Sequence, residues 1–130
     1  MSDSTTTIAE LKQLVADFVA RRDWSRFHAP KNLSMSLAIE AAELMEHFQW
    51  ISPEESRQVA GHPDRVAAVG EELADVVCYA LAMTNELGLD LSTTVRRKIA
   101  KNELKYPVEQ YRGRYGPEDK GESEGLGIGD

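Results

Sequence analysis

Glu72-Leu-Ala-Asp75-Val-Val-Cys78-Tyr79-Ala-Leu81 is the stretch on which the fold turns. Two acids three residues apart run straight into an apolar segment. Residues at i and i+3 of a helix share one face, roughly 5–6 Å apart at Cβ, so this doublet can aim both carboxylates at one point. Upstream, Glu40-Ala-Ala-Glu43 repeats the spacing directly after Leu37-Ala38-Ile39, with 28 residues between the two halves. Two such helices packed antiparallel would bring four carboxylates together. Left bare, the cluster would repel itself, and buried carboxylates without partners are costly. A hard cation removes both problems. All-oxygen ligation points to magnesium, with manganese as a substitute. The plain alternative is a set of solvated surface acids. A di-iron bundle would need Glu-x-x-His pairs. The residues three after Glu40, Glu43, Glu46 and Glu72 are Glu43, Glu46, Gln49 and Asp75.

Working outward, helical periodicity covers most of the chain. Thr7-Ile-Ala-Glu10 reads as a capping box, followed by the apolar stripe Ile8, Leu11, Leu14, Val15, Phe18 and Val19. That helix is predicted to end near Arg22, with an ordered loop over Asp23 to Asn32. A second helix is predicted from Leu33 to Phe48, its buried side carrying Leu37, Ala41, Leu44 and Phe48. Ser52-Pro53-Glu54-Glu55 opens a short helix that stops near Gly61. A long one runs from Asp64 to Leu87 and closes at Gly88. The last starts at Asp90 or Ser92 and ends near Lys105. The expectation is an all-α bundle of four main helices plus a short one, in one domain over residues 1–112. Residues 113–130 hold six of the nine glycines and are expected to form a disordered acidic tail.

The formal charge of −7 and pI near 5.0 argue against a basic nucleic-acid surface. Cys78 is the one cysteine. No apolar run approaches the roughly 20 residues of a membrane span, and Met1 to Thr7 lack the features of a signal peptide. A soluble cytoplasmic protein without membrane or nucleic-acid partners is expected. Apolar residues on two faces, as in Val76 to Leu81, predict a homo-oligomer, a tetramer of two dimers before a dimer.

The doublets and their flanks resemble the MazG-like all-α nucleotide pyrophosphohydrolases, whose metal signature is Glu-x-x-Glu, a spacer, then Glu-x-x-Asp. Arg22-Asp23-Trp24, Phe27-His28, Pro30 with Asn32-Leu33, Phe48-Gln49-Trp50, Tyr79, Lys98, Asn102 and Tyr106-Pro107 are similar in order and spacing to the dCTP pyrophosphatase branch. The resemblance covers residues 8 to 107. It implies an oligomeric helical bundle with magnesium at Glu40, Glu43, Glu72 and Asp75, hydrolysing a nucleoside triphosphate to monophosphate and diphosphate. It further implies that Trp24, Trp50 and Tyr79 enclose the base, while Lys98, Asn102 and Lys105 meet phosphates or sugar. His28, Asn32 and Tyr106 complete the expected substrate contacts. Glu43, with Glu40 as alternative, is the expected base that orients or deprotonates the attacking water. Two positions depart from the animal members of that branch. Val15 stands where they carry a histidine, and Ala100 where they carry an acid. Base choice therefore stays open among dCTP, a modified dCTP, dUTP and a broad range. A non-catalytic helical interaction module is the reading of another class.

Overall fold

The structure, a computed structural model, describes residues 1–115. Residues 116–130, most of the expected tail, lie outside the described residues. Among the described residues every regular element is helical: α1 (Ile8–Arg21), α2 (Pro30–Glu46), α3 (Pro53–Gln58), α4 (Pro63–Leu87), α5 (Leu91–Lys105) and α6 (Val108–Tyr111), with 3-10 turns at Ser25–Phe27 and Val59–Gly61. The short α6 and both 3-10 turns add to the four main helices and one short helix read from periodicity. No helix among the described residues is long and apolar enough to cross a membrane.

Local chemistry explains the boundaries. Thr7 caps α1 by accepting from the Glu10 backbone N–H at 3.1 Å. Only this half of the expected box is formed there. At α3 the box is complete: Ser52 accepts from the Glu55 N–H, and the Glu55 carboxylate accepts from the Ser52 N–H. α2 starts at Pro30, three residues before the predicted Leu33, because proline in the first turn lacks only an N–H that has no helical acceptor. Its far end stops at Glu46 rather than Phe48. There the N–H groups of His47 and Phe48 bond back three residues, to Leu44 and Met45, and tighten the last turn. Gly88, at φ 62°, ends α4 in the left-handed conformation that glycine adopts without a Cβ penalty.

The chain divides into two compact units, the second beginning at Ser92. In the first, α2 packs along α4, and α1 packs on α4 as well. α1 and α4 run in opposite directions: Lys12 Nζ donates to the Leu89 carbonyl at 2.8 Å and Asn85 Nδ2 donates to the Lys12 carbonyl at 3.1 Å, while Leu14 to Val19, later in α1, border the same cleft as Asp75 to Ala82, earlier in α4. Leu33, Val59, Leu81 and Ala82 are the buried apolar residues, together with Thr84, whose hydroxyl donates to the Leu81 carbonyl. The core of the single chain is small. On α2, Leu37 and Leu44 are half-buried and Ala41 is exposed, and Phe48, just beyond its end, is half-buried as well. Met35 (52% exposed) and Ile39 (58%) on α2 and Leu73 (49%) and Val77 (43%) on α4 stay open.

Candidate metal centre and adjoining cleft

The packing of α2 on α4 brings the two doublets together. Glu40, Glu43 and Glu72 each offer a carboxylate oxygen within 4.8 Å of the others. Glu40 and Glu72 are half-buried and Glu43 is exposed. One oxygen of Glu40 and one of Glu72 are shut off from solvent and have no hydrogen-bond partner. Burial pushes the Glu40 carboxyl above its usual range, and hydrogen bonding and charge repulsion from Glu43, then repulsion from Asp75 and Glu72, push it further. Glu72 is raised by burial, then by Glu43 and Asp75, while the charge of His47 opposes the rise. These are marks of a site short of positive charge. Three convergent oxygen donors, two with orphaned buried oxygens, suit a hard divalent cation.

Asp75 falls outside that tight group. Its charge acts on both Glu40 and Glu72, and it also lines a cleft of about 440 Å³ on the α1 side of α4. Cys78 and Tyr79 follow it along the cleft wall, one turn on, with Ala82 beyond. Burial, then the charge of Asp75, raises the Cys78 thiol. α1 supplies the facing wall with Leu14, Val15, Phe18 and Val19, and Trp24 and His28 close one side. Volumes of this order hold small organic ligands, and apolar walls with a few polar groups are their usual lining.

Trp24 is held by the way α1 ends. The Asp23 N–H bonds to the Ala20 carbonyl and the Trp24 N–H to the Val19 carbonyl, with Asp23 itself left-handed at φ 53°. This is a Schellman-type ending in which aspartate occupies the position glycine usually takes. It folds the indole back onto Phe18, edge to face at 5.7 Å, and the Arg22 guanidinium lies 3.7 Å over the Phe18 ring.

Of the other residues expected at the site, Tyr79 and His28 line the cleft with Trp24. Trp50 does not line it and is 88% exposed in the turn after α2. Asn32 uses its amide to bond the Phe27 carbonyl at 3.2 Å, tying the 3-10 turn to α2. Lys98, Asn102, Lys105 and Tyr106 belong to the second unit. There Lys105 Nζ sits 5.3 Å from the Tyr106 ring, which meets Tyr111 edge to face at 5.1 Å. Leu14, Phe18, Val19 and Cys78 were legible only as members of apolar stretches, and Ala82 carried no signal of its own. Their role in the wall depends on which helix α1 packs against.

Residues 35–115 match the MazG-like family model. The chain belongs to the MazG-like family. This MazG-like chain is 39% identical to dCTP pyrophosphatase 1 of the rat (Rattus norvegicus), over 95% of its own length and 76% of the relative's. With the human (Homo sapiens) dCTP pyrophosphatase 1 the identity is 38%, over 82% of this chain and 62% of that one. Among solved structures, a pyrophosphatase from Archaeoglobus fulgidus superposes with a TM-score of 0.71 at 36% identity, covering 82% of this chain and 98% of the other. The MazG-like match includes both acid doublets and begins beyond α1.

Proposed function

We propose that this MazG-like protein is a magnesium-dependent nucleotide pyrophosphohydrolase that cuts dCTP, or a dCTP modified at the 5-position, into the monophosphate and diphosphate. The observation that carries the reading is the continuity of acid cluster and cleft. Asp75 acts on Glu40 and Glu72 by charge and also lines a cavity large enough for a nucleoside. The relatives named dCTP pyrophosphatase 1 support the substrate class.

Glu40, Glu43, Glu72 and Asp75 would hold magnesium, which when bound neutralises phosphate charge and activates water. Glu43 orients the attacking water or takes its proton, with Glu40 as the alternative; its exposure within the tight group supports the choice. Water attacks the α-phosphorus, the bond from that phosphorus to the bridging oxygen breaks, and diphosphate leaves. Trp24 and Tyr79 stack on or flank the base and His28 meets its edge, while Trp50, Asn32, Lys98, Asn102, Lys105 and Tyr106 are further substrate contacts. Residues 1–112 act as one functional domain. The open apolar residues on α2 and α4 support a homo-oligomer, with a tetramer ahead of a dimer.

Val15 favours a second reading, a broader pyrimidine range, because it lines the cleft without a polar group. The deciding experiment is kcat/KM over the eight common NTPs and dNTPs plus 5-methyl-dCTP, in magnesium and in chelator. Selective, chelator-sensitive release of diphosphate from cytosine substrates is expected. Equal values for purines and pyrimidines would remove the cytosine assignment, and no release from any nucleotide would remove the enzyme.

A further inference from the structure

Arg22 stands next to the cleft without lining it. In a continued helix its N–H would reach the Phe18 carbonyl, four residues back. That N–H bonds to Val19 instead, and the side chain takes its place: Arg22 Nη1 donates to the Phe18 carbonyl at 3.1 Å. The same guanidinium lies 3.7 Å over the Phe18 ring, so one cation holds Phe18 by backbone and by ring. No acid competes for it. Neighbouring Asp23 pairs with Arg26 at 3.6 Å, and Arg22 joins no salt bridge among the described residues. Phe18 (43% exposed) and Trp24 (44%) both line the cleft, and neither is fixed by burial. Among the described residues the indole makes no side-chain hydrogen bond. Its ring partners are Phe18, edge to face, and the Arg22 guanidinium at 6.0 Å.

We infer that Arg22 is a positioning residue for the base: its guanidinium clamps Phe18, and the clamped ring holds the Trp24 indole ready for a base to stack. The inference rests on the cleft being the nucleotide site proposed above, and it adds the residue that pre-forms its aromatic end. A half-open aromatic side chain that must be immobilised on binding subtracts from affinity, and one already fixed does not. Arginine suits the task, because its guanidinium attracts an aromatic face and can donate a hydrogen bond at the same time. Stacking on the indole is the same before and during attack at the phosphorus. Its contribution is therefore shared by ground and transition states, so Arg22 acts on KM and leaves kcat alone. It also acts at the base, so its effect is independent of the number of phosphates. An arginine that touched the phosphates would behave in the opposite way.

The test uses the full chain as wild type, Arg22→Gln, Arg22→Ala, Arg22→Lys, Phe18→Leu and the double variant Arg22→Gln with Phe18→Leu. Three quantities are measured: KM and kcat for dCTP in magnesium, binding of dCTP and of deoxycytidine in chelator, and the mobility of the Trp24 indole N–H by ¹⁵N relaxation. The indole signal is assigned by its loss in Trp24→Phe. Arg22→Gln and Arg22→Ala should each raise KM and weaken both ligands by a common factor of about 3- to 10-fold, with kcat and helical content unchanged. The indole should become more mobile in both. Arg22→Lys, which keeps a cation over the ring, should recover part of the loss. In the Phe18→Leu background Arg22→Gln should change nothing further, as expected for residues acting through one contact. Unchanged affinity or an unmoved indole in both Arg22→Gln and Arg22→Ala would overturn the inference. So would an equal loss in the Phe18→Leu background, or a loss seen with dCTP and not with deoxycytidine. The expected pattern of binding without any turnover would uphold it and sink the pyrophosphohydrolase reading alone. No binding of either ligand to the wild type would sink both.

Discussion

Glu40 on α2 and Glu72 on α4 each bury a carboxylate oxygen that nothing in the protein hydrogen-bonds, and with Glu43 they offer oxygens within 4.8 Å of one another. Both carboxyls are raised, by burial first and by their acidic neighbours after it. The pairing of these two helices thus works against itself until positive charge arrives. A set of acids serving only as a solvated surface would relax outward, where water screens repulsion.

Replacing Glu72 with glutamine should separate chemistry from folding. Turnover with magnesium should fall by at least about 100-fold, because electrostatic and metal contributions dominate such barriers. Helical content by circular dichroism should be unchanged, and in chelator the melting temperature should rise. Near-normal turnover of Glu72→Gln would show that the cluster is not the reaction centre.

The raised carboxyls fix a pH dependence with a definite sign. Their folded-state values lie above their unfolded ones, so the folded, metal-free protein holds extra protons between the two. Stability in chelator therefore falls as pH rises through that window, and the penalty is complete above it. The stability advantage of Glu72→Gln over the wild type should be largest above the window and shrink as pH falls toward the ordinary value of 4.5. Thermal melts of both proteins across pH check this. Adding magnesium within that window should release protons, measurable as a dependence of binding heat on buffer ionisation.

Asp23 tests how Trp24 is held. Glycine at this left-handed position should be tolerated, while Asp23→Val should cost roughly 1–2 kcal/mol, read from urea midpoints. Asp23→Val should also weaken substrate binding, since the same turn seats the indole on Phe18. Equal urea midpoints for the glycine and valine variants would contradict the account.

The open apolar residues predict assembly. Light scattering at micromolar concentration should give a dimer or tetramer mass for the wild type, and Met35→Lys combined with Val77→Lys should lower it. A monomer mass for the wild type would end that proposal.

Legibility followed how local each feature is. Glu40, Glu43, Glu72 and Asp75 stood out because i, i+3 spacing is a property of one helix, and two apolar helices carrying it have few ways to pair. Asp75 was read as an equal fourth acid; it lies outside the tight group, acts on it by charge and also borders the cleft. Trp24 was legible as a residue at a helix end. That an aspartate would bend the chain behind it was not, since glycine is the usual signal. The wall formed by Val15 and Val19 was hidden among α1 residues that look like ordinary core, because it required knowing that α1 runs against α4. The reach of His47 to Glu72 crosses from the end of α2 to α4, which spacing along one helix cannot reveal.

α4 carries Glu72 and Asp75 at the acid cluster, Tyr79 and Ala82 in the cleft wall, and Asn85 at the bond to α1, all without a break. At 1.5 Å per residue, the seven steps from Asp75 to Ala82 span about 10 Å. The helix is therefore a ruler between the acid cluster and the cleft, graduated by its own hydrogen bonds. Substitutions along it change what each mark recognises. Inserting or deleting one residue between Asp75 and Ala82 would instead turn every later mark by about 100° and slide it by about 1.5 Å. Under the function proposed above, variation in substrate range can accordingly come from exchanging side chains on α4, whereas changes in its length would part recognition from cleavage altogether.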